Sequence, residues 1–206
     1  MKILAIGAHP DDIEYGCGGT LLKMKKEHGA EIRFFVASCG IVAGSAEVRK
    51  KEQQAAADIL GASRVYWGGL PDTEITLCKD LVTQLEKIIG EYGPDVIFVN
   101  YPDDTHQDHR NLAEGVMVAT RYCRKVLYYE DYTSRKYEPH IFVDIGDVLE
   151  QKVELLKCHR SQVERDYPTD LDIVESVHAV ANYRGFQAKV KYAESFHALR
   201  YLLDKV

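Results

Sequence analysis

The stretch Ile3-Leu4-Ala5-Ile6-Gly7-Ala8-His9-Pro10-Asp11-Asp12 sets a short apolar run directly before an imidazole and two carboxylates. The apolar run predicts a buried strand that ends at Gly7, and a Gly-rich helix start follows the aspartates. In an open parallel sheet, ligands collect beyond the carboxyl ends of the strands. The stretch therefore predicts a strand that delivers a metal site to this edge of a sheet.

Strand-like runs and helical periodic segments alternate along the rest of the chain. This pattern predicts one Rossmann-like, three-layer α/β domain over residues 1–206 with a mostly parallel sheet. The predicted strands are Ile3–Gly7, Ile32–Ala37, Arg64–Trp67, Val96–Asn100, Val126–Glu130 and Ile141–Ile145. The predicted helices are Gly18–His28, Ser45–Leu60, Asp80–Tyr92, Asn111–Arg124, Val148–His159, Ile173–Tyr183 and Tyr192–Leu203. The short link Asp131–Pro139 predicts an antiparallel, hairpin-like fifth and sixth strand, and so a mixed sheet.

Composition and charge narrow the function classes. The net charge is -6 and there is no Lys/Arg-rich block, so neither nucleic acid nor an anionic membrane is an expected partner. The five cysteines include no C-x-x-C pair, which argues against a disulfide framework and favours reduced thiols. No apolar run reaches the roughly 18 residues of a membrane span, and no secretory signal is recognisable. We expect a soluble, cytoplasmic protein.

A second polar cluster, Asp103–His109, follows another predicted strand. His9 and Asp12 are close enough in sequence to share one cation, and the third ligand is expected from His106 or His109. Two histidines and a carboxylate suit Zn²⁺ and also non-haem Fe²⁺. Asp11, beside a ligand, is placed to act as a general base toward a water molecule that the metal acidifies. The two clusters together predict metal-assisted hydrolysis.

Each motif also has a structural interpretation. His9-Pro10-Asp11-Asp12 is compatible with a simple helix entry, because acidic residues favour helix N-termini. His106 and His109 are compatible with solvated loop residues, but two such clusters at one sheet edge favour the metal site. The run Gly16–Thr20 matches neither the dinucleotide nor the P-loop pattern, so we expect it to serve close packing of a helix on the sheet.

His9-Pro10-Asp11-Asp12 with Gly16–Leu21, and later His106–Arg110, resemble the two signature motifs of the PIG-L/LmbE-like zinc-dependent N-acetylglucosaminide deacetylases. The resemblance covers nearly the whole chain. Further matching positions are Arg49, Glu52, Pro139–Ile145, His159–Gln162 and Tyr192–Phe196.

The resemblance implies a role for each site residue. It implies Zn²⁺, or Fe²⁺ or another divalent metal, on His9, Asp12 and His109, with Asp11 as the general base. It gives His106 the stabilisation of the oxyanion or a proton transfer. Asp108 is expected to orient the His106 ring and favour its cationic form. Arg49 is expected to bind substrate or orient the base.

The implied activity is removal of the acetyl group from an N-acetylated amino sugar or its conjugate, by a homo-oligomer that is a trimer or hexamer in many relatives. Two alternatives stay open: an amidase for a larger N-acyl group, and a non-catalytic sugar- or nucleotide-binding module that uses Gly18-Gly19. Gln107 stands where many family members have proline, a difference expected to alter the stiffness of the loop more than its chemistry. Asp104 stands where some sugar-thiol members have a tyrosine that moves with substrate, so the substrate preferences of those members do not transfer to this chain. The Tyr128–Tyr137 loop is a candidate for contacting the rest of the substrate.

Overall fold

The computed structural model describes residues 1–203, and the strands in that range form one seven-stranded sheet. The strands are β1 Lys2–Gly7, β2 Glu31–Ser38, β3 Arg64–Leu70, β4 Val96–Asn100, β5 Lys125–Tyr129, β6 Ile141–Asp144 and β7 Ala193–Tyr201. Their order is β3-β2-β1-β4-β5-β7-β6. The strands β1 to β5 are parallel, whereas β7 runs antiparallel to both of its neighbours. The mixed sheet is therefore confirmed.

Helices cover both faces of this sheet. They are α1 Asp12–His28, α2 Ala46–Leu60, α3 Lys79–Tyr92, α4 Gln107–Ala119, α5 Leu149–Lys157, α6 Arg160–Val163 and α7 Ile173–Ala188. Alternate side chains of β1 enter different cores, since Leu4 and Ile6 pack with α3 and α4 whereas Ile3 and Ala5 pack with α1, α2 and α5. The three-layer α/β fold is confirmed. Nowhere in residues 1–203 is a helix both long and apolar enough to cross a membrane.

The predicted helix Tyr192–Leu203 and the predicted hairpin of the fifth and sixth strands are both wrong. Residues Ala193–Tyr201 form β7, which lies between β5 and β6 and pairs with each of them. The first four residues of β7 are all buried, so this strand lacks the alternation of buried and exposed residues that marks a half-exposed strand. The strand that pairs with β5 is therefore β7, from near the end of the chain. The short link Asp131–Pro139 had predicted β6 in that position.

Two helices begin earlier than predicted. The helix α1 starts at Asp12 rather than Gly18, and α4 starts at Gln107 rather than Asn111 and ends at Ala119. Each start brings charged residues of a polar cluster into the first helical turn. The glycines that suggested a late start for α1 lie inside the helix, where they allow close packing on the sheet, as expected.

A buried ion pair joins α1, α5 and β7. The ammonium group of Lys152 lies 2.5 Å from the carboxylate of Glu194 and donates to the carbonyl of Tyr15 in α1. Glu194 in turn accepts hydrogen bonds from the backbone N–H groups of Gly19 and Thr20. Because every charged atom here is buried, the pair depends on these additional bonds for its stability.

The close packing of α1 predicts opposite effects of alanine at two neighbouring glycines. A Cβ atom at Gly16 would lie 2.0 Å from the ring of Tyr129, whereas at Gly18 the nearest atom would be 3.6 Å away. Gly16→Ala should lower the free energy of unfolding by about 1–3 kcal/mol through overpacking. Gly18→Ala should be neutral or raise it by up to about 1 kcal/mol, since alanine is the better helix former. Urea unfolding of both variants tests this; equal effects would contradict the packing role.

Candidate active site

Asp12 lies at the junction of β1 and α1, and its buried carboxylate organises the first loop. Its Oδ2 accepts hydrogen bonds from the backbone N–H groups of Ala8 (2.8 Å) and His9 (3.0 Å) and from Nδ2 of Asn100 (3.1 Å). Burial alone raises the pKa of Asp12, but His109, together with the ring charge and the backbone N–H of His9, holds it well below its usual range. Asp12 is therefore an anion in the interior.

The carboxylates of Asp108 and Asp72 both hold the ring of His9 through its Nε2. Its Nε2 lies 3.0 Å from Asp108 and 3.1 Å from Asp72, while its Nδ1 lies 4.0 Å from Oδ2 of Asp12. Burial alone lowers the pKa of His9, but the bonds to Asp108 and Asp72 raise it to about 9. Because these acids keep a proton on Nε2, Nδ1 is the nitrogen left for a cation.

His109, in the first turn of α4, has a similar arrangement in which Nδ1 faces the holding carboxylate and Nε2 faces Asp12. Its Nδ1 lies 3.2 Å from Oδ2 of Asp104 and its Nε2 lies 3.5 Å from Oδ2 of Asp12. Burial alone lowers the pKa of His109, but the charges and hydrogen bonds of Asp12 and Asp104 raise it. Asp104 thus fixes the ring of a predicted ligand.

The donor set fits a divalent cation. A histidine that binds metal through one ring nitrogen usually donates from the other to a carboxylate, and both His9 and His109 have such a carboxylate. Among residues 1–203, the potential ligand atoms lie within 4.8 Å of one another in three groupings: His9, His106 and His109; His9, Asp72 and Asp108; and Asp12, His109 and Asp131. The predicted ligands thus lie together, although no single grouping contains all three. Oδ1 of Asp131 is buried without a hydrogen-bond partner, as expected of an atom that a cation would satisfy.

Asp11 lies beside this set in a strained conformation. Its φ of 94° is in the left-handed region, which costs a non-glycine residue about 1–3 kcal/mol. Arg49 holds it there, because its Nη2 lies 3.3 Å from Oδ1 of Asp11 and donates to the carbonyl of Pro10. Burial raises the pKa of Asp11 to about 6, with Arg49 and His159 opposing the rise. A carboxylate tuned in this way is suited to accept a proton near neutral pH.

The structure differs from the expected contact between Asp108 and His106. The carboxylate of Asp108 accepts from His9 and from the backbone N–H groups of Thr73 and Ile75. What links it to His106 is its backbone N–H, which donates to Nδ1 of His106 at the start of α4. Burial and the neighbouring rings of His109 and His9 lower the pKa of His106. His106 is thus a neutral ring that carries its proton on Nε2.

A cleft of about 210 Å³ is lined by His9, Asp11, Asp12, Arg49, His106 and His109. Of the Tyr128–Tyr137 loop, Tyr132 and Thr133 line it, whereas Tyr128 and Tyr129 are buried in the sheet. A second, mainly apolar cavity of about 290 Å³ shares Tyr132 and Tyr167 with the cleft. A larger groove of about 700 Å³ lies elsewhere, but none of the three groupings found in residues 1–203 lines it.

Sequence reasoning missed two aspartates of the site. Asp72 follows β3 and Asp131 follows β5, at the same sheet edge as the two clusters. The rule that ligands gather beyond the carboxyl ends of parallel strands, applied to every strand, would have selected both.

Comparison with known proteins shows the family to which the chain belongs. The family model described as PIG-L, GlcNAc-PI de-N-acetylase, matches residues 4–120, more than half of the chain and both polar clusters. The chain belongs to the PIG-L family. Residues His9, Asp11, Asp12, His106 and His109 all lie within the part that the PIG-L model matches.

Individual PIG-L relatives are similar to this chain over a longer stretch than the family model covers. The deacetylase YaiS of Escherichia coli is 33% identical over 172 residues, which is 77% of this chain and 90% of YaiS. The diacetylchitobiose deacetylase of Thermococcus kodakarensis is 26% identical, over 94% of this chain and 81% of that enzyme. The crystal structure of the conserved protein TT1542 from Thermus thermophilus superposes with a TM-score of 0.87 at 26% identity, covering 98% of this chain and 96% of that one. The named relatives of this PIG-L chain include deacetylases of N-acetylated sugars.

The contact of Arg49 with Asp11 predicts a pH effect. A carboxylate base works in its ionised form, so kcat/KM for amide hydrolysis should fall as the pH drops through about 6. Arg49 lowers the pKa of Asp11, so Arg49→Met should raise it and move this acid limb to higher pH. Lys50→Met removes the same charge from an exposed position of α2 and should leave the limb in place. A pH profile that is unchanged in Arg49→Met would exclude this coupling.

Proposed function

We propose that this PIG-L chain is a metal-dependent amide hydrolase that removes the N-acetyl group from an N-acetylated amino sugar or its conjugate. The observation that carries the proposal is that two histidines, His9 and His109, lie around Asp12 and that each is held by a further carboxylate. Asp11, whose pKa is raised to about 6, lies next to them. The deacetylase names of the relatives support the same bond as the target.

His9, Asp12 and His109 are proposed to hold the metal, through Nδ1, a carboxylate oxygen and Nε2, respectively. Zn²⁺ is the proposed ion, with Fe²⁺ or another divalent metal as the alternative, since two histidines and one carboxylate suit either. When bound, such an ion acidifies water and polarises an amide carbonyl. Asp72, Asp104 and Asp108 are positioning residues that keep the two rings in the required tautomers.

The remaining groups of the cleft are proposed to move protons and stabilise charge. Asp11 accepts a proton from the attacking water as the oxygen bonds to the amide carbon, and returns it to the nitrogen as the C–N bond breaks, giving acetic acid and an amine, which ionise to acetate and an ammonium ion. The Nε2–H group of neutral His106 donates a hydrogen bond to the developing oxyanion. Arg49 holds Asp11 in place and adds a positive charge near the substrate.

Several properties of the whole molecule extend the proposal. Residues 1–206 are proposed to form a single PIG-L/LmbE-like domain that acts on a small-molecule amino sugar in the cytoplasm, with neither nucleic acid nor a membrane as its partner. A trimer or hexamer stays a prediction for measurement by light scattering.

Replacement of the base tests the proposed mechanism. Asp11→Asn should lower kcat for acetate release from N-acetylglucosamine conjugates by about 100-fold or more, the usual contribution of a general base. The metal content, measured by elemental analysis, should stay at the native level because Asp11 is not a proposed ligand. Asp103→Asn, at a half-exposed residue of the second cluster, is the matched control and should keep native activity. Native turnover in Asp11→Asn would refute the assignment, and a native protein that holds no metal and gains no activity with Zn²⁺ would favour the non-catalytic binding module.

The apolar cavity supports a second candidate function, hydrolysis of a larger N-acyl group. It shares Tyr132 and Tyr167 with the polar cleft, and its lining also includes Leu171 and Ile173. In this candidate function, an acyl chain attached to an amide in the cleft would pass Tyr132 and Tyr167 to reach the cavity. The volume of about 290 Å³ exceeds what an acetyl group alone would fill.

A charge in the apolar cavity distinguishes the two candidate functions. Leu171→Glu should lower kcat/KM for an N-octanoyl glucosamine conjugate by about tenfold, because burying the chain beside a carboxylate is unfavourable, and should spare the N-acetyl analogue. Leu171 is largely exposed, so the fold should tolerate this change. Ile59→Glu, on the exposed face of α2, is the control. If the native protein releases only acetate and ignores the octanoyl conjugate, the larger-acyl candidate fails.

A further inference from the structure

Asp131 is a buried carboxylate of the cleft region that neither polar cluster contains. It lies just after Glu130 at the end of β5 and is 4% exposed. Its carboxylate lies within 4.8 Å of the potential ligand atoms of Asp12 and His109. Asp131 therefore lies beside two of the three proposed metal ligands although it comes from a different strand end.

The local structure of the loop fixes the backbone of Asp131 and leaves one oxygen of its side chain unbound. The backbone N–H of Asp131 donates to Oγ of Ser134, and its carbonyl accepts from the backbone N–H of Ser134. Its Oδ1 is buried and has no hydrogen-bond partner. By contrast, the neighbouring carboxylates of Asp12, Asp104 and Asp108 each accept at least two hydrogen bonds.

An unbound carboxylate oxygen at this position is costly on two counts. Burial without a partner is unfavourable for any charged oxygen. A second carboxylate, that of Asp12, lies within 4.8 Å, and two like charges at this distance repel each other strongly out of water. A cation between Asp12, His109 and Asp131 removes both costs.

We propose that Asp131 is a further metal ligand, which adds its Oδ1 to the set of His9, Asp12 and His109. This inference rests on the proposed metal-dependent function. The ligand set then contains two histidines and two carboxylates, which makes it more anionic and harder than a set with one carboxylate. Such a set binds a divalent cation more tightly, and its oxygen ligands also suit metals such as Mn²⁺.

Metal affinity of the isosteric variant Asp131→Asn tests the proposal. Competition with a chromophoric chelator should show Zn²⁺ binding that is weaker by about tenfold or more. The thermal midpoint of the metal-free variant should be equal to or higher than that of the native protein, since an unbound carboxylate is removed. The gain in thermal midpoint on adding Zn²⁺ should be smaller, because stabilisation by a ligand follows its affinity. Substitution with Co²⁺ should give a visible absorption spectrum that differs from that of the native protein.

Other outcomes would overturn the assignment. A structural acid would give the reverse pattern, a lower midpoint without metal and an unchanged gain with Zn²⁺. Weaker Zn²⁺ binding with a native Co²⁺ spectrum would place Asp131 behind a ligand rather than on the metal. Asp103→Asn is the control, and should show native Zn²⁺ affinity despite losing a negative charge on the neighbouring loop. Failure of the native protein to bind metal would refute the proposed function itself, whereas native affinity in Asp131→Asn refutes only this inference.

Discussion

The negative charge of Asp12 is kept in the interior by donors from two neighbouring strand ends, and the rest of the site is assembled around it. Asn100 at the end of β4 donates to Asp12 and accepts from Ala8, so it joins β4 to the end of β1. The hydroxyl of Tyr129 in β5 lies 3.1 Å from Asn100 and 2.8 Å from the carbonyl of Ile6. Gly16 leaves the space in α1 that the Tyr129 ring fills. Gly16 is thus linked to Asp12, at the N-terminus of the same helix, through the contacts of Tyr129 and Asn100.

The site could be predicted from sequence where polar residues cluster after a strand. His9, Asp11 and Asp12 follow β1, and His106, Asp108 and His109 follow β4, and the structure brings these residues together. Sequence analysis did not predict Asp72 and Asp131, because neither aspartate has a histidine beside it in the sequence that would mark it as a metal-site residue. The contact of Asp108 with His9 was also unpredictable, since it joins residues 99 positions apart and the family resemblance had implied His106 as the partner of Asp108.

The fold was predictable as far as local periodicity determines it. The parallel strands β1 to β5 and the amphipathic helix α3 follow from apolar runs and from the spacing of buried residues. The strand β7 does not, because its buried first half contains the charged Glu194, which Lys152 and backbone amides of α1 stabilise. A buried charge inside a strand carries no apolar signal, so the pattern favoured a helix.

The carboxylates behind the two histidines link metal binding to protonation. Without a cation, Asp108 and Asp72 raise the pKa of His9 to about 9, and Asp12 and Asp104 raise that of His109, so both rings are protonated near neutral pH. A metal ligand must be an unprotonated nitrogen, so in the proposed site the binding of a metal would release a proton from each ring. The same acids then keep the remaining proton on the opposite nitrogen and direct the free lone pair toward Asp12. Tight binding therefore depends on the metal supplying the positive charge that the two protons carried, and affinity falls as the pH is lowered.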